Sequence, residues 1–248
     1  MPHQSSGIML VTGGSRGIGA AISVLAARKG YDVCINYSTD RERAQDIAGQ
    51  VERAGRRAMI HRADVSQEDE VGDMFKAIDD TLGRLTVLVN NAGISGGSTR
   101  VDQLSAHDID RVFGINVRGT FLCCKEALLR MSTRQGGNGG SIVNFSSAAA
   151  RLGAAGRNVH YAASKAAINT LTFGLAQEVA NEGVRVNAIS PGMIDTEMQD
   201  PVRLANMLDT LPMKRAGTVE EVANAVLWLA SEEASYVSGT ILGVSGAR

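Results

Sequence analysis

The chain reads as short apolar runs separated by longer stretches in which apolar residues return every three or four positions. The runs at 8–11, 32–37, 57–61, 87–89, 142–145, 184–189 and 240–244 are largely apolar throughout, the pattern of strands buried on both faces. Helical periodicity fills 20–29, 39–54, 67–82, 106–131, 158–180 and 219–230, and Gly30 and Gly55 stop the first two segments. Strand and helix in alternation predict an α/β fold with a parallel sheet. Two stretches break the rhythm. The Gly-rich residues 135–140 predict an exposed, mobile loop, and residues 195–216, where Pro201 and Pro212 interrupt Met and Leu, read as a small substrate lid. Inside the longest helix, Gly114-Ile115-Asn116-Val117-Arg118-Gly119 predicts a local kink, because an interior Asn competes for backbone hydrogen bonds.

Length and charge narrow what such a fold does. With 248 residues and no linker composition, the chain predicts one domain over 1–248. Its 25 basic and 26 acidic residues nearly cancel, which removes any charge-based case for nucleic acid or an anionic membrane surface. The partners expected are small molecules and further copies of the chain. Residues 1–7 lack the apolar run of a signal peptide, and no stretch reaches the ~20 apolar residues of a membrane span. Cys34, Cys123 and Cys124 form no CxxC pair and read as reduced packing residues of a cytoplasmic protein. His3, His61, His107 and His160 lack ligand spacing, so no metal site is expected.

The chemistry gathers at the ends of the predicted strands. The first runs into Thr12-Gly13-Gly14-Ser15-Arg16-Gly17-Ile18-Gly19 and then a helix, the parts of a phosphate cradle: glycines let the backbone approach a pyrophosphate, and the helix N-terminus offers free N–H groups. Asn36 stands near the place where an NAD site offers a carboxylate to the adenosine ribose, and neither Tyr37 nor Ser38 supplies an acid. Arg16, Arg41 and Arg43 lie close by; a guanidinium suits a 2′-phosphate, which favours NADP with NAD as the lesser possibility. Asp40 and Glu42 sit among those arginines and could hold the same charges in surface pairs. Asp64 is a candidate for the adenine amino group or, with equal weight, a cap for a helix starting near Ser66. Asn90-Asn91-Ala92-Gly93 makes room for a ribose at the fourth strand end.

In Val159-His160-Tyr161-Ala162-Ala163-Ser164-Lys165, Tyr161 and Lys165 share one helical face about a turn apart. A phenol beside a fixed ammonium is expected to titrate below its usual range and to exchange a proton with a substrate. Ser146 and Ser147 close the fifth strand with hydroxyls able to meet a carbonyl, and Pro191-Gly192 with Ile194-Asp195-Thr196 completes the same rim.

Taken in order, Thr12-Gly13-x-x-x-Gly17-x-Gly19, Asn90-Asn91-Ala92-Gly93, Asn116, Ser147, Tyr161-x-x-x-Lys165 and Pro191-Gly192 resemble the short-chain dehydrogenase/reductase family over essentially the whole chain. The nearest likeness is to the bacterial group around β-ketoacyl-acyl carrier protein reductase and glucose dehydrogenase. The resemblance implies a single Rossmann-type domain, doubly wound, with a seven-stranded parallel sheet flanked by helices, assembled as a homotetramer. It implies a catalytic tetrad of Asn116, Ser147, Tyr161 and Lys165, with Ser147 preferred to Ser146, Lys165 holding the nicotinamide ribose and Asn116 anchoring a water. The cofactor contacts expected are Gly13, Ser15, Arg16, Gly17, Ile18, Gly19, Asn36, Ser38, Asp64, Val65, Asn91, Ala92, Gly93, Tyr161, Lys165, Pro191, Gly192, Ile194 and Thr196. Thr86 stands where many relatives have Asp, and Ser245-Gly246-Ala247 departs from a common Asp-Gly-Gly; neither change touches the tetrad. The activity implied is reversible hydride transfer between NADP(H) and a carbonyl/alcohol pair. A cofactor-binding sensor or scaffold without turnover is the alternative. A sugar-nucleotide epimerase, which shares the Tyr and Lys, ranks below both because its substrate region is longer.

Overall fold

The computed structural model describes residues 6–197 and 208–248. Its strands are β1 (Gly7–Val11), β2 (Tyr31–Tyr37), β3 (Ala58–Arg62), β4 (Val87–Asn90), β5 (Gly140–Phe145), β6 (Val184–Pro191) and β7 (Ile241–Val244). They form one seven-stranded sheet, every neighbouring pair parallel, in the order β3-β2-β1-β4-β5-β6-β7. The strands read as apolar runs because neither face is wet. Ile8, Leu10, Cys34 and Leu88 enter the hydrophobic layer on one side of the sheet; Met9, Val11, Val33, Ile35, Val87 and Val89 enter the layer on the other.

The helices are α1 (Gly17–Arg28), α2 (Arg41–Arg53), α3 (Glu68–Thr81), α4 (Ala106–Phe113), α5 (Gly119–Met131), α6 (Ala149–Leu152), α7 (Val159–Glu178) and α8 (Val219–Ala230). Ile22, Ala44, Val51 and Val222 bring α1, α2 and α8 onto one face, while Phe75, Cys123 and Leu175 bring α3, α5 and α7 onto the other. Burying a Leu, Ile or Phe side chain in either layer contributes about 1.5–3 kcal/mol. Helix starts follow local chemistry. Asp40 caps α2 by accepting from the Arg43 N–H, and Thr218 with Glu221 forms a capping box at α8. From β1 the chain steps outward through β2 to β3, then returns to place β4 on the other side of β1. The carboxyl ends of β1 and β4 therefore part, leaving the crevice where doubly wound sheets bind ligands.

Two expectations change. The helix expected at 106–131 is interrupted by a π-helical turn over Gly114–Arg118, which is the physical form of the kink anticipated at Asn116. The Gly-rich 135–140 segment is exposed at Gln135, Gly136 and Asn138 yet tightly tied: Gly137 N–H donates to the Ser132 carbonyl and Gly139 N–H to that of Met131, each at 2.8 Å. A Cβ on Gly139 would stand 2.4 Å from the Gly183 carbonyl oxygen, so glycine serves close packing there and not slack. The short α6 had no forewarning in the pattern. As for the lid expected at 195–216, residues 198–207 lie outside the described residues. Its neck is closed by Asp195 N–H to the Gly217 carbonyl and Gly217 N–H to that of Met193, both 2.9 Å. Cys34, Cys123 and Cys124 are buried and unpaired, and burial pushes the Cys34 and Cys124 thiols up to about 12. Among the described residues no helix is long and apolar enough to cross a membrane.

Candidate active site

The glycine turn sits over the crevice and is held from two sides. Gly13 and Gly17 adopt the left-handed backbone, φ +61° and +52°. From β2, the Asn36 side chain accepts from the Gly13 N–H (3.1 Å) and donates to the Ala63 carbonyl (3.0 Å). From the residue that follows β4, the Asn91 amide donates to the Thr12 and Gly13 carbonyls at 2.9 and 3.0 Å. Thr12 Oγ1 accepts from the Ala92 N–H (3.0 Å). Helix α1 then comes so close that a Cβ on Gly19 would lie 2.3 Å from the Gly13 carbonyl oxygen. Gly17 is open by contrast: its nearest neighbour, the Thr196 methyl, would be 3.9 Å from an added Cβ. The first turn of α1 has no acidic residue and no side-chain cap, so its N–H groups and positive dipole end remain available to an anion. Open backbone at a positive φ beside an uncapped helix start fits the pyrophosphate of a dinucleotide.

On the adenosine side the expected residues divide. Arg16, Ser38 and Arg41 are exposed at the mouth. Asn36 is 2% exposed with its amide bonded to backbone, which corrects its expected place at the ribose: it braces the turn from behind. Arg43 is held by Asp40, Nε to Oδ2 at 3.2 Å, and by Glu197. Asp64 is not the cap of α3, whose N-cap is Gln67 without a side-chain bond; its Oδ1 accepts from the Ser66 N–H at 2.9 Å in a tight turn. Val65 is buried against Gly119, where a Cβ would come within 2.8 Å of it.

At its carboxyl end β5 delivers two serines with opposite fates. Ser146 is buried and donates to the Lys165 carbonyl (3.2 Å). Ser147 accepts from the Ala149 N–H (3.1 Å) and lies near enough to the Tyr161 phenol to pull its pKa down. Lys165 lies beneath that phenol, 5% exposed, its Nζ 5.8 Å from the ring centre and donating to the Phe145 carbonyl at 2.7 Å. Burial lowers the ammonium to about 8. The expected depression of Tyr161 by Lys165 is not what the structure has. Burial pushes the phenol above its ordinary value and hydrogen bonding to Ser147 pulls against that rise, while the ammonium is aimed at the Phe145 carbonyl and not at the phenolic oxygen.

Asn116 is 1% exposed at the π turn. Its side chain accepts from the Ile94 N–H (2.9 Å) and donates to the Ile94 carbonyl and Ser164 Oγ, both 3.0 Å. The side-chain amide thus fixes the strand exit after Gly93 and is fully engaged within the protein. Gly93 opens the space between: a Cβ there would be 3.2 Å from Asn116 Oδ1 and 3.4 Å from Lys165 Nζ. The rim closes with Pro191, whose carbonyl accepts from the Ala148 N–H (2.9 Å), and Gly192, where a Cβ would meet Ser245 Cα at 2.7 Å. Ile194 is buried, so at this rim it offers backbone alone.

Three residues outside the expected set help build the site. Thr12 and Ser164 lock backbone, the latter donating to the Tyr161 carbonyl at 2.7 Å; an interior helical Ser three residues after a functional side chain is the available signal. His160 is 4% exposed with neither ring nitrogen bonded, packed under Gly96, whose Cβ would lie 2.4 Å from its Nε2. No sequence signal marks it.

Residues 13–246 match the family model described as enoyl-(acyl carrier protein) reductase. The chain is 49% identical over 245 residues to the uncharacterized oxidoreductase YgfF of Escherichia coli, covering 97% of this chain and 99% of that one. It is 35% identical over 240 residues to the 3-oxoacyl-(acyl-carrier-protein) reductase FabG of Staphylococcus aureus, 96% of each. Among solved structures it is similar to a blue fluorescent protein from a metagenomic library in complex with NADPH, with a TM-score of 0.92, 34% identity and 98% of each chain covered.

Proposed function

The chain belongs to the short-chain dehydrogenase/reductase family, and from that premise we propose that it is an NADP(H)-dependent oxidoreductase acting on a carbonyl/alcohol pair, with Tyr161 exchanging the proton. The observation that carries the reading is one juxtaposition: the Tyr161 phenol against Ser147, with Lys165 beneath, at strand ends that share a rim with the open glycine turn. The nicotinamide would supply or accept the hydride. Gly13, Gly17 and the start of α1 would hold the pyrophosphate. Arg16, Ser38 and Arg41 exposed at the mouth, with Arg43 nearby on Asp40 and Glu197 and no acid at positions 36 to 38, support NADP, as does the NADPH carried by the blue fluorescent protein.

Each residue of the tetrad then has a distinct task. Ser147, braced by the Ala149 N–H on its oxygen, would turn its proton from the Tyr161 phenol to the substrate oxygen as charge develops there, worth about 3 kcal/mol in comparable sites. Tyr161 Oη gives that oxygen a proton in reduction and removes it in oxidation. Lys165 has two N–H groups beyond the one on Phe145, on the side that Gly93 leaves open, where a ribose would lie. Asn116 holds the backbone at Ile94 and the Ser164 hydroxyl, so Lys165 and Tyr161 keep their spacing. The buried, unpaired cysteines support a cytoplasmic location, and Phe121, Leu129 and Phe173, exposed on α5 and α7, support assembly as a homotetramer.

The test follows nicotinamide absorbance across a panel of carbonyls and alcohols with wild type and Tyr161→Phe. Turnover is expected to fall by about 10²–10⁴ in the variant, with NADPH affinity within about twofold. Undiminished turnover in Tyr161→Phe overturns the role of the phenol. Wild type that binds NADPH but never consumes it leaves a sensor or scaffold.

A further inference from the structure

The backbone from Gly192 to Glu197 crosses the open side of the glycine turn. It leaves the end of β6 where Gly192 lies against Ser245, passes Thr196 over Gly17, and ends with the Glu197 carboxylate on Arg43 Nη1 in the first turn of α2. Arg43 completes the span through Asp40 to the exit of β2. The Arg43–Glu197 pair thus joins the two lips of the cleft, on the side where an adenosine ribose would lie. Both side chains are accessible, Arg43 45% and Glu197 66% exposed, so the guanidinium can change partners without any repacking.

We propose that Glu197 competes with the 2′-phosphate of NADPH for the Arg43 guanidinium, so that a residue from the β6 side of the cleft tempers the preference between NADPH and NADH. The inference rests on the NADP reading above. Carboxylate and phosphate are both oxyanions that a guanidinium takes in the same forked geometry. A phosphate that takes Arg43 must first break its pair with Glu197, whose exposed carboxylate then returns to solvent. The 2′-hydroxyl of NADH carries no charge to displace the carboxylate, so the ion pair and NADH coexist. Glu197 therefore acts against NADPH and is nearly silent toward NADH.

Fluorescence titration of NADPH and NADH against wild type, Glu197→Gln, Arg43→Met and the double variant tests this without a substrate. Glu197→Gln is expected to tighten NADPH about fivefold, the upper end for an exposed ion pair, with NADH within about twofold. Arg43→Met should loosen NADPH about tenfold, and in its background Glu197→Gln should have no further effect. Equal changes for both cofactors would mean that the pair simply straps the cleft, and would overturn the proposal. So would an Arg43-independent gain, or no change at all. Wild type that binds NADH more tightly than NADPH would defeat the NADP reading; an NADPH gain in Glu197→Gln that needs Arg43 would still uphold the role of Glu197. Both residues are exposed, and unchanged thermal unfolding confirms that the variants fold.

Discussion

Around the glycine turn the amides of Asn36 and Asn91 bond to backbone, and glycine hydrogens fill the gaps between chains. Around Tyr161 the opposite holds: a lysine sits in a site that lowers its pKa to about 8, a phenol is pushed up by burial, and an imidazole has no partner on either nitrogen. The half proposed to hold the cofactor is a shape, and it fails when an atom no longer fits. The half proposed for catalysis holds its lysine and phenol away from their solution behaviour, and it responds to charge and pH. The lesson is that satisfied polar groups make a mould, whereas perturbed ones make a reagent.

The sharpest way to break this contrast is Gly19→Ala. Its Cβ would meet the Gly13 carbonyl at 2.3 Å and the Asn91 amide at 2.6 Å, both locked in the turn. Overpacking of this kind costs about 1–3 kcal/mol, and the displaced turn should lose NADPH affinity by about a hundredfold or more. Titration and thermal unfolding read the two effects; retained affinity would mean that the turn is pliable. Next in size is a proton. Lys165 has a folded pKa of about 8 against an unfolded value of about 10.4, so between those pH values the unfolded chain binds more protons and stability rises with pH. The ammonium form is the one that favours an anionic cofactor. NADPH binding near pH 8 should therefore take up a fraction of a proton, measured by calorimetry in buffers of different ionisation enthalpy, and Lys165→Met should abolish that uptake. Smallest is His160→Phe. An apolar ring in place of two unbonded nitrogens should leave the thermal midpoint unchanged or raise it by up to about 3 °C. A clear fall would mean that those nitrogens are bonded after all, and the contrast would soften.

Much of this was legible, and the residues show why. Strands buried on both faces announce themselves as apolar runs, so the seven-stranded parallel sheet follows from the alternation together with the family resemblance, while the order of its strands comes from the structure. Most boundaries moved by a residue or two, as where Asp40 caps α2, and α1 starts three residues earlier than its apolar pattern, inside the glycine turn. Orientation was not legible. Asn36 was placed at the correct strand end, yet whether its amide points to a ribose or back to Gly13 depends on carbonyls that arrive from β3. The same limit applies to the glycines of 135–140, which are packed against Gly183 and Met131 from other elements. For Tyr161 and Lys165 the helical spacing is visible in sequence; the burial that sets their titration comes from tertiary packing.

The π turn at Gly114–Arg118 also makes chain length a functional quantity. Each residue of a helix carries about 100° of rotation, so one extra residue would re-phase everything after it were it not held in a π turn. Before it, α4 buries Val112; after it, α5 turns Cys123, Cys124, Ala127 and Met131 onto the sheet. Deleting a single residue between 114 and 118 would let an ordinary α-helix run through with that stripe still on the core, while taking Asn116 from Ile94. In this stretch the extra residue serves the site and not the core.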